Sequence, residues 1–485
     1  MTTINLSLLA PLRRAGVLTL GVMAVSGCAS LAPEAGHGAV PAVAATWQTA
    51  PPAGMAAADA ADWWGRFDDP LLPELIGAAQ AASPTLASAG ARIERARASR
   101  VAAGAALLPA VNVVASASSG RSAPNLAVTA TGATVGAQAA WEIDLFGGNA
   151  AGRTAAQARL DGARAAQAGV RAAVAAETAS SYLALRACEA QRAQTEIDVA
   201  SRAETARLTA ESARAGFIAP ADAALVRASA AQARTQLASQ RQSCDTLVKS
   251  LVEVTAIAEP ALRQRLAATT AVLPSPPALA VPALPAALLM RRPDLAEAGR
   301  TVQAAAAEIR QSRAEQLPQI SISGAIGAGS LRLGGNSSNA ATWSLGPLSI
   351  TLPLFDGGAR AAATDAARAG FDEAVALYQA QVRVAVREVE VSLVALQSTA
   401  ERQADALLAA QDFEASLRAT QARQRGGLAS LFDLETARRN AVAAQVGLID
   451  LQRERAAAWI SLYRALGGGW DAAALDAADT TAARR

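Results

Sequence analysis

The second half of this chain repeats the first. Pro84, Leu86 and Gly90 return 209 residues on as Pro293, Leu295 and Gly299, and the same shift carries Leu108-Pro109 to Leu317-Pro318 and Leu145-Phe146 to Leu354-Phe355. One inserted residue, Asp356, lengthens the shift to 210 for Gly147-Gly148 and Gly357-Gly358. By Glu177 and Glu388 it is 211, and it stays there through Ser181 and Ser392, Gly216 and Gly427, Asp222 and Asp433, and Leu251 and Leu462. Biased composition does not keep register over such a length with two single-residue slips. The fold is therefore expected to consist of two equivalent units.

Each unit has the same order of parts: a helix, two strands, a very long helix, a turn and a returning helix. Repeat 1 covers 62–270, with strands at about 109–121 and 127–146, a long helix over 149–215 and a return helix over 220–258. Repeat 2 covers 285–470, with strands at about 318–331 and 341–355 and helices over 359–425 and 431–466. A Pro-rich linker, 271–284, joins them, and 471–485 forms a C-terminal tail. The strands are read from alternation: in "LPQISISGAIG" Ile320, Ile322, Gly324 and Ile326 share one face. Ser118 to Asn125 reads as a polar hairpin loop and "SLRLGGNSSNA" as its counterpart, while Pro347 inside the last strand predicts a bulge or a change of facing.

About ten alternating residues are enough to cross a bilayer as a tilted strand, and no later stretch is apolar and unbroken enough for a spanning helix. Four strands cannot close a transmembrane barrel. Two copies would leave a narrow lumen filled by side chains, whereas three would pool twelve strands. The long helices, at 1.5 Å per residue, are rods of roughly 100 Å, far longer than the ~30 Å core of a bilayer. Val375, Val382, Val389 and Leu396 recur every seventh residue with Tyr378, Ala385 and Ser392 at the offset position, which is coiled-coil spacing. A composition 52% hydrophobic but only 4% aromatic suits such rods, packed closely through small side chains. "LFGG" and "LFDGG" are read as the points where strand becomes helix, Gly147, Gly148, Gly357 and Gly358 supplying the backbone freedom.

Net charge is only +3, Lys249 is the sole lysine, and arginines alternate with acids, so the concentrated basic face of a nucleic-acid binder is missing. Residues 1–27 read as a secretory signal, with Arg13-Arg14 before an apolar run from Ala15 to Val25. "VSGCAS" then resembles the lipobox of bacterial lipoproteins, in which Cys28 is acylated; residues 28–61 are the lipidated linker. Diacylglycerol and an N-acyl chain on Cys28 would hold this end to a membrane surface without a spanning helix. No other cofactor and no metal are expected. The single histidine, His37, lies in that linker, and no catalytic or nucleotide-binding motif accompanies it.

"DWWGRFDDPLLPELI" from Asp62, "WEIDLFGG" from Trp141, "LLMRRPDLAEA" from Leu288, "LPLFDGG" from Leu352 and "LYRALGGGW" ending at Trp470 together resemble the TolC-type outer-membrane efflux proteins, in their NodT-like lipoprotein branch. The resemblance covers roughly Asp62 to Trp470. It implies a mainly α fold with a membrane β part: a homotrimer whose twelve-stranded β-barrel, four strands per chain, continues into a long periplasmic barrel of coiled-coil helix hairpins. It further implies a passive outer-membrane exit duct for small molecules, with a periplasmic adaptor and an inner-membrane transporter of the resistance-nodulation-division type as partners. A type I protein-secretion outlet of the same fold and a non-porous coiled-coil scaffold are the alternatives.

By that resemblance the two far turns, "RAGFIAPAD" and "RGGLASLFD", form the periplasmic mouth. Asp433 matches the acidic constriction, and Gly216, Phe217, Ile218, Asp222, Gly427, Leu428 and Leu431 are the candidate tip and adaptor-contact residues. Asp222 is alternatively a simple helix cap. Gly216 is also the midpoint of Cys188 and Cys244, so the antiparallel arms would place the two thiols side by side in an oxidising compartment, where a disulfide is expected.

Overall fold

The computed structural model describes residues 46–50, 63–121, 129–276 and 291–470. The signal segment, Cys28, His37, most of the linkers and the tail lie outside these residues. After a short 3₁₀ turn at Trp64–Arg66 come α1 (Leu71–Ala82), α2 (Pro84–Ala105), strands β1 (Ala110–Arg121) and β2 (Thr129–Ile143), and α3 (Gly148–Arg214). The chain returns through α4 (Pro220–Thr255) and α5 (Glu259–Leu266). Then follow α6 (Pro293–Ala314), β3 (Gln319–Leu333), β4 (Asn336–Thr351), α7 (Ala359–Arg425) and α8 (Leu431–Ala465). The helices ahead of the two hairpins, α2 and α6, each have 22 residues, and the rods α3 and α7 each have 67.

The four strands make one antiparallel sheet in the order β1-β2-β3-β4. Several boundaries differ from the sequence expectation, among them the end of β4, which stops at Thr351 instead of reaching 355. The single helix expected before β1 is two, because Pro84 restarts the chain behind Ser83, whose Oγ accepts from Leu86 N–H at 3.2 Å. β2 stops at Ile143 instead of reaching 146, because Asp144 turns away to serve the next helix. Residues 330–340, expected as a loop, are mostly strand: Leu333 pairs with Asn336 across a tight turn at Gly334-Gly335, both with positive φ, the conformation such a two-residue hairpin requires. The return helix ends at Thr255, since Ala256 takes a left-handed conformation (φ 53°), and α5 is a separate helix.

Most large side chains bury midway along the rods. Tyr182, Leu183 and Leu185 of α3, Leu251 of α4, Val389 and Leu393 of α7 and Trp459 and Leu462 of α8 form one core with Trp63, Leu72 and Leu75. Motifs from the two ends of the described chain meet there, Trp63 stacking on Tyr463 with ring centroids 5.0 Å apart. Arg186, fully buried, receives its partners from several elements: Tyr182 Oη at 3.0 Å, Glu189 at 2.7 Å and the Leu266 carbonyl at 3.1 Å. Arg292 of the "RRPDL" motif donates to the Ala465 carbonyl at 3.0 Å and pairs with Glu388 at 2.8 Å, tying α6, α7 and α8 together. On α7 the heptad residues Val382, Ala385, Val389, Ser392 and Leu396 are all buried.

Candidate functional site

The first functional element is the sheet, whose two faces differ. The register aligns Val113, Ala137, Ile326 and Trp343 across the four strands, and beside them Trp141, Ile322 and Leu348. The opposite face carries the row Asn112, Gln138, Ala325 and Ser344. On β4, Trp343 and Leu345 follow the two-residue period, but Leu348 and Ile350 would fall on the polar face were it not for a bulge. β3 advances from Ile322 to Gly324 while β4 advances from Leu348 to Leu345, so the extra residue restores the facing at Pro347. The apolar row stays open in a single chain, with Val113, Ile326 and Trp343 at 78%, 67% and 80% exposure.

At the strand-to-helix junctions Gly147 (φ 74°), Gly357 (φ 66°) and Gly358 (φ 91°) take left-handed backbone that only glycine adopts cheaply. Gly148 does not. It is the first residue of α3, and a Cβ there would stand 3.0 Å from Ala314 Cβ, so its role is close packing. Sequence reasoning missed the acids that serve these turns. Asp144 accepts from Asn149 and Ala150 N–H at 3.1 and 2.7 Å, and Asp356 from Gly358 and Arg360 N–H at 2.9 and 3.1 Å. Both place a carboxylate on the first amides of a 67-residue helix, where free N–H groups and the helix dipole favour negative charge. A carboxylate just ahead of each glycine pair was the available signal.

The two far turns are built alike. Phe217 N–H donates to the Ser212 carbonyl at 2.9 Å and Gly216 N–H to Ala213 at 3.1 Å; Leu428 and Gly427 repeat this with Arg423 and Gln424 at 2.8 and 3.0 Å. With Gly216 and Gly427 left-handed, these are paired Schellman closures. Beyond them the tips differ. Ser430 N–H and Oγ–H donate to Asp433 Oδ2 at 3.0 and 2.7 Å, and Asp433 N–H returns a bond to Ser430 Oγ at 3.1 Å, a full capping box. Those bonds from Ser430 hold the Asp433 carboxyl below the usual carboxylate range, so it stays anionic. Asp222 sits in the first turn of α4 behind Ala219, which offers no capping oxygen.

Phe217 and Leu428 are 85% and 73% exposed. Between the tips runs a groove of about 560 Å³ that brings Phe217, Ile218 and Asp222 from one hairpin to Leu431 and Phe432 of the other. Leu428 and the two glycines are not part of its lining. Under the groove lies a largely buried ionic cluster whose pairing across the hairpins no local sequence pattern announces. Arg202 of α3 binds Asp198 at 2.8 Å and Glu435 of α8 at 3.2 Å; Ser229 Oγ–H donates to Glu435 at 2.9 Å; Arg438 pairs with Glu435 and reaches Thr205 Oγ1 at 3.3 Å. It joins the two hairpins just behind their tips.

Cys188 and Cys244 are disulfide-bonded, with Cα atoms 5.6 Å apart, linking α3 to α4. Among the described residues no cluster of three His, Cys, Asp or Glu could hold a metal, and no helix is long and apolar enough to cross a membrane.

The outer membrane efflux protein family matches this chain twice, over residues 75–256 and 284–468. Outer membrane protein OprJ of Pseudomonas aeruginosa is 30% identical over 473 residues, covering 94% of this chain and 96% of that protein. The probable efflux pump outer membrane protein TtgC of Pseudomonas putida is 31% identical over 474 residues, covering 94% and 96%. Among solved structures, the outer-membrane channel OprN superposes with a TM-score of 0.80 at 26% identity over 89% of this chain and 98% of that one. The open state of the Neisseria gonorrhoeae MtrE outer membrane channel gives 0.76 at 25% identity, over 88% and 96%.

Proposed function

The chain belongs to the outer membrane efflux protein family, and from that premise we propose that three copies form one passive duct, the exit of a tripartite efflux pump. It is an outer-membrane protein of the efflux type. One observation carries the proposal: a sheet apolar on one face and polar on the other leads, through left-handed glycines, into helices of 67 residues. The apolar face suits lipid and the polar face a water-filled lumen. Three sheets side by side supply twelve strands, and the rods carry the conduit about 100 Å onward. The double match of one family signature supports an internal duplication, giving each chain two hairpins and the trimer six.

In this arrangement Asp433 from each copy lines the far mouth, where three anions form a negative collar that cations enter more readily than anions. Phe217, Ile218, Asp222 and Leu431, around the groove, receive a periplasmic adaptor, with Leu428 exposed nearby. The energy comes from an inner-membrane transporter, of the resistance-nodulation-division type. Acyl chains on Cys28 anchor the other end in outer-membrane lipid. Planar-bilayer recording tests the duct directly. Discrete conductance steps are expected, with cation preference weakened in Asp433→Asn; no conductance from the assembled protein would defeat the reading. Deletion of the gene should raise susceptibility to small toxic compounds, and an unchanged spectrum combined with lost export of a protein would point to secretion instead.

A further inference from the structure

We infer that oxidation of Cys188 and Cys244 is a modification of the mature protein that fixes the α3–α4 hairpin at the boundary between its hard stem and its soft distal arms. The cysteines stand where the packing changes character. On the stem side lie the large buried residues Tyr182, Leu183 and Leu185 of α3 and Val248 and Leu251 of α4. On the tip side the buried positions of α4 are Ala223, Val226, Ala230, Ala233 and Leu237, and those of α3 are Glu189, Asp198 and Thr209. Three of those five α4 positions are alanines, whose methyl removes little apolar area from water, so the distal arms share less apolar packing than the stem. Both cysteines are buried, at 6% and 4% exposure, and Gln240 Nε2–H donates to Cys188 Sγ at 3.4 Å, so the bond is sheltered at that boundary.

The other hairpin solves the same problem differently. At the repeat-equivalent positions stand Thr399 and Arg455, which cannot be cross-linked. Thr399 Oγ1–H donates to the carbonyl of Leu396 in its own helix at 3.0 Å, and Arg455 donates to Gln403. Here the segment Leu273 to Pro276 lies against α7 and α8, sharing with Thr399, Gln403 and Arg455 the walls of a groove of about 240 Å³. One hairpin is closed here by a covalent bond and the other by the polar pairs Arg455–Gln403 and Arg402–Glu454 between its two helices.

The chemistry is thiol–disulfide exchange with a periplasmic oxidant that carries a reactive disulfide. One cysteine, as thiolate, attacks the oxidant's disulfide and expels one of its sulfurs; the second cysteine then attacks the mixed disulfide and expels the other. Two electrons and two protons leave the hairpin and end on the oxidant as its dithiol.

This inference rests on the hairpin lying in the periplasm, as proposed above, but its test reads oxidation and local opening, not conductance. The mature protein, unfolded without reductant in the presence of a maleimide, should leave Cys188 and Cys244 unlabelled by mass spectrometry, and reductant should expose both. Labelling of both without reductant overturns the proposal. In the Cys188→Ala/Cys244→Ala variant, amide exchange across residues 189–243 should accelerate on the order of 100-fold, while residues 400–454 change less than about twofold. Equal acceleration in both hairpins, or none in either, also overturns it. Should the variant fail to fold, wild-type protein treated with reductant gives the same readout.

Discussion

Four carboxylates show how neighbours assign work to a residue type this chain carries in abundance. Asp144 and Asp356 hold helix amides, Asp433 accepts twice from one serine through Oδ2, and Glu435 sits between two arginines from the same and a neighbouring hairpin. The last is the most exacting, because Arg202 and Arg438 are nearly buried at 11% and 4% and would be left against each other without it. Glu435→Ala is expected to cost about 3 kcal/mol, read as a lower thermal midpoint and faster amide exchange near 198–205, with Glu435→Gln in between. Asp294 gives the pH dependence. Burial pulls its carboxyl upward, but the hydrogen bonds and charge of Arg292, with donors from Gln381 and Leu295, outweigh this and leave it below the usual range. A carboxyl depressed in the folded state contributes stability above its unfolded value, near 3.9, and loses it as pH falls through the folded one. Thermal stability should therefore drop as pH falls below about 4, and the drop should be shallower in Asp294→Asn.

The elements were legible wherever one period persisted. Two-residue alternation marked Ile320 to Ile326, and seven-residue spacing marked the buried seam from Val382 to Leu396. Boundaries failed where chemistry ceased to follow period. Around Gly334 the strands run on through "NSSNA" because ladder hydrogen bonds persist where no apolar face is needed. The end of α4 was invisible because an alanine, not a glycine, takes the left-handed turn at residue 256. The Arg202–Glu435 pairing was invisible for another reason: the two residues are 233 apart and meet only when the hairpins pack. Alternation at Pro347 left either a bulge or a changed facing open, and the register shows a bulge that keeps Leu345 and Leu348 on one side. That two-faced sheet yields a paired prediction. Ile326→Arg, on the apolar face, should cost roughly 2–4 kcal/mol near the bilayer midplane and sharply lower the amount of assembled protein in outer-membrane fractions. Gln138→Arg, on the polar face, should assemble normally and change ion selectivity. Equal assembly of the two variants would mean that the apolar face does not meet lipid.

At the scale of the whole molecule, closure decides the number of copies. The sheet begins at β1 and ends at β4, so a single chain carries two strand edges whose backbone groups have no ladder partner within it. In hydrocarbon each such group costs several kcal/mol, and spanning sheets are stable only when closed. Joining β4 of one copy to β1 of the next removes both edges at once, which makes the contact head-to-tail and the assembly a ring. Ring size follows from the lumen. Eight strands enclose little more than their own side chains, which would choke a duct, whereas twelve would enclose a wider lumen. The rods point to the same association: Val391 and Val394 of α7 and Ile197 of α3 stand 57%, 55% and 65% exposed on helices too long to be shielded by their own chain. Unpaired apolar positions on a coiled-coil surface call for neighbouring helices. The detergent-solubilised protein should therefore weigh three protomers by light scattering corrected for detergent. Ile326→Arg should release monomers, because a barrel that cannot sit in lipid loses its reason to close. A wild-type protein that conducts as a dimer would refute the ring of three while leaving the sheet's two faces intact.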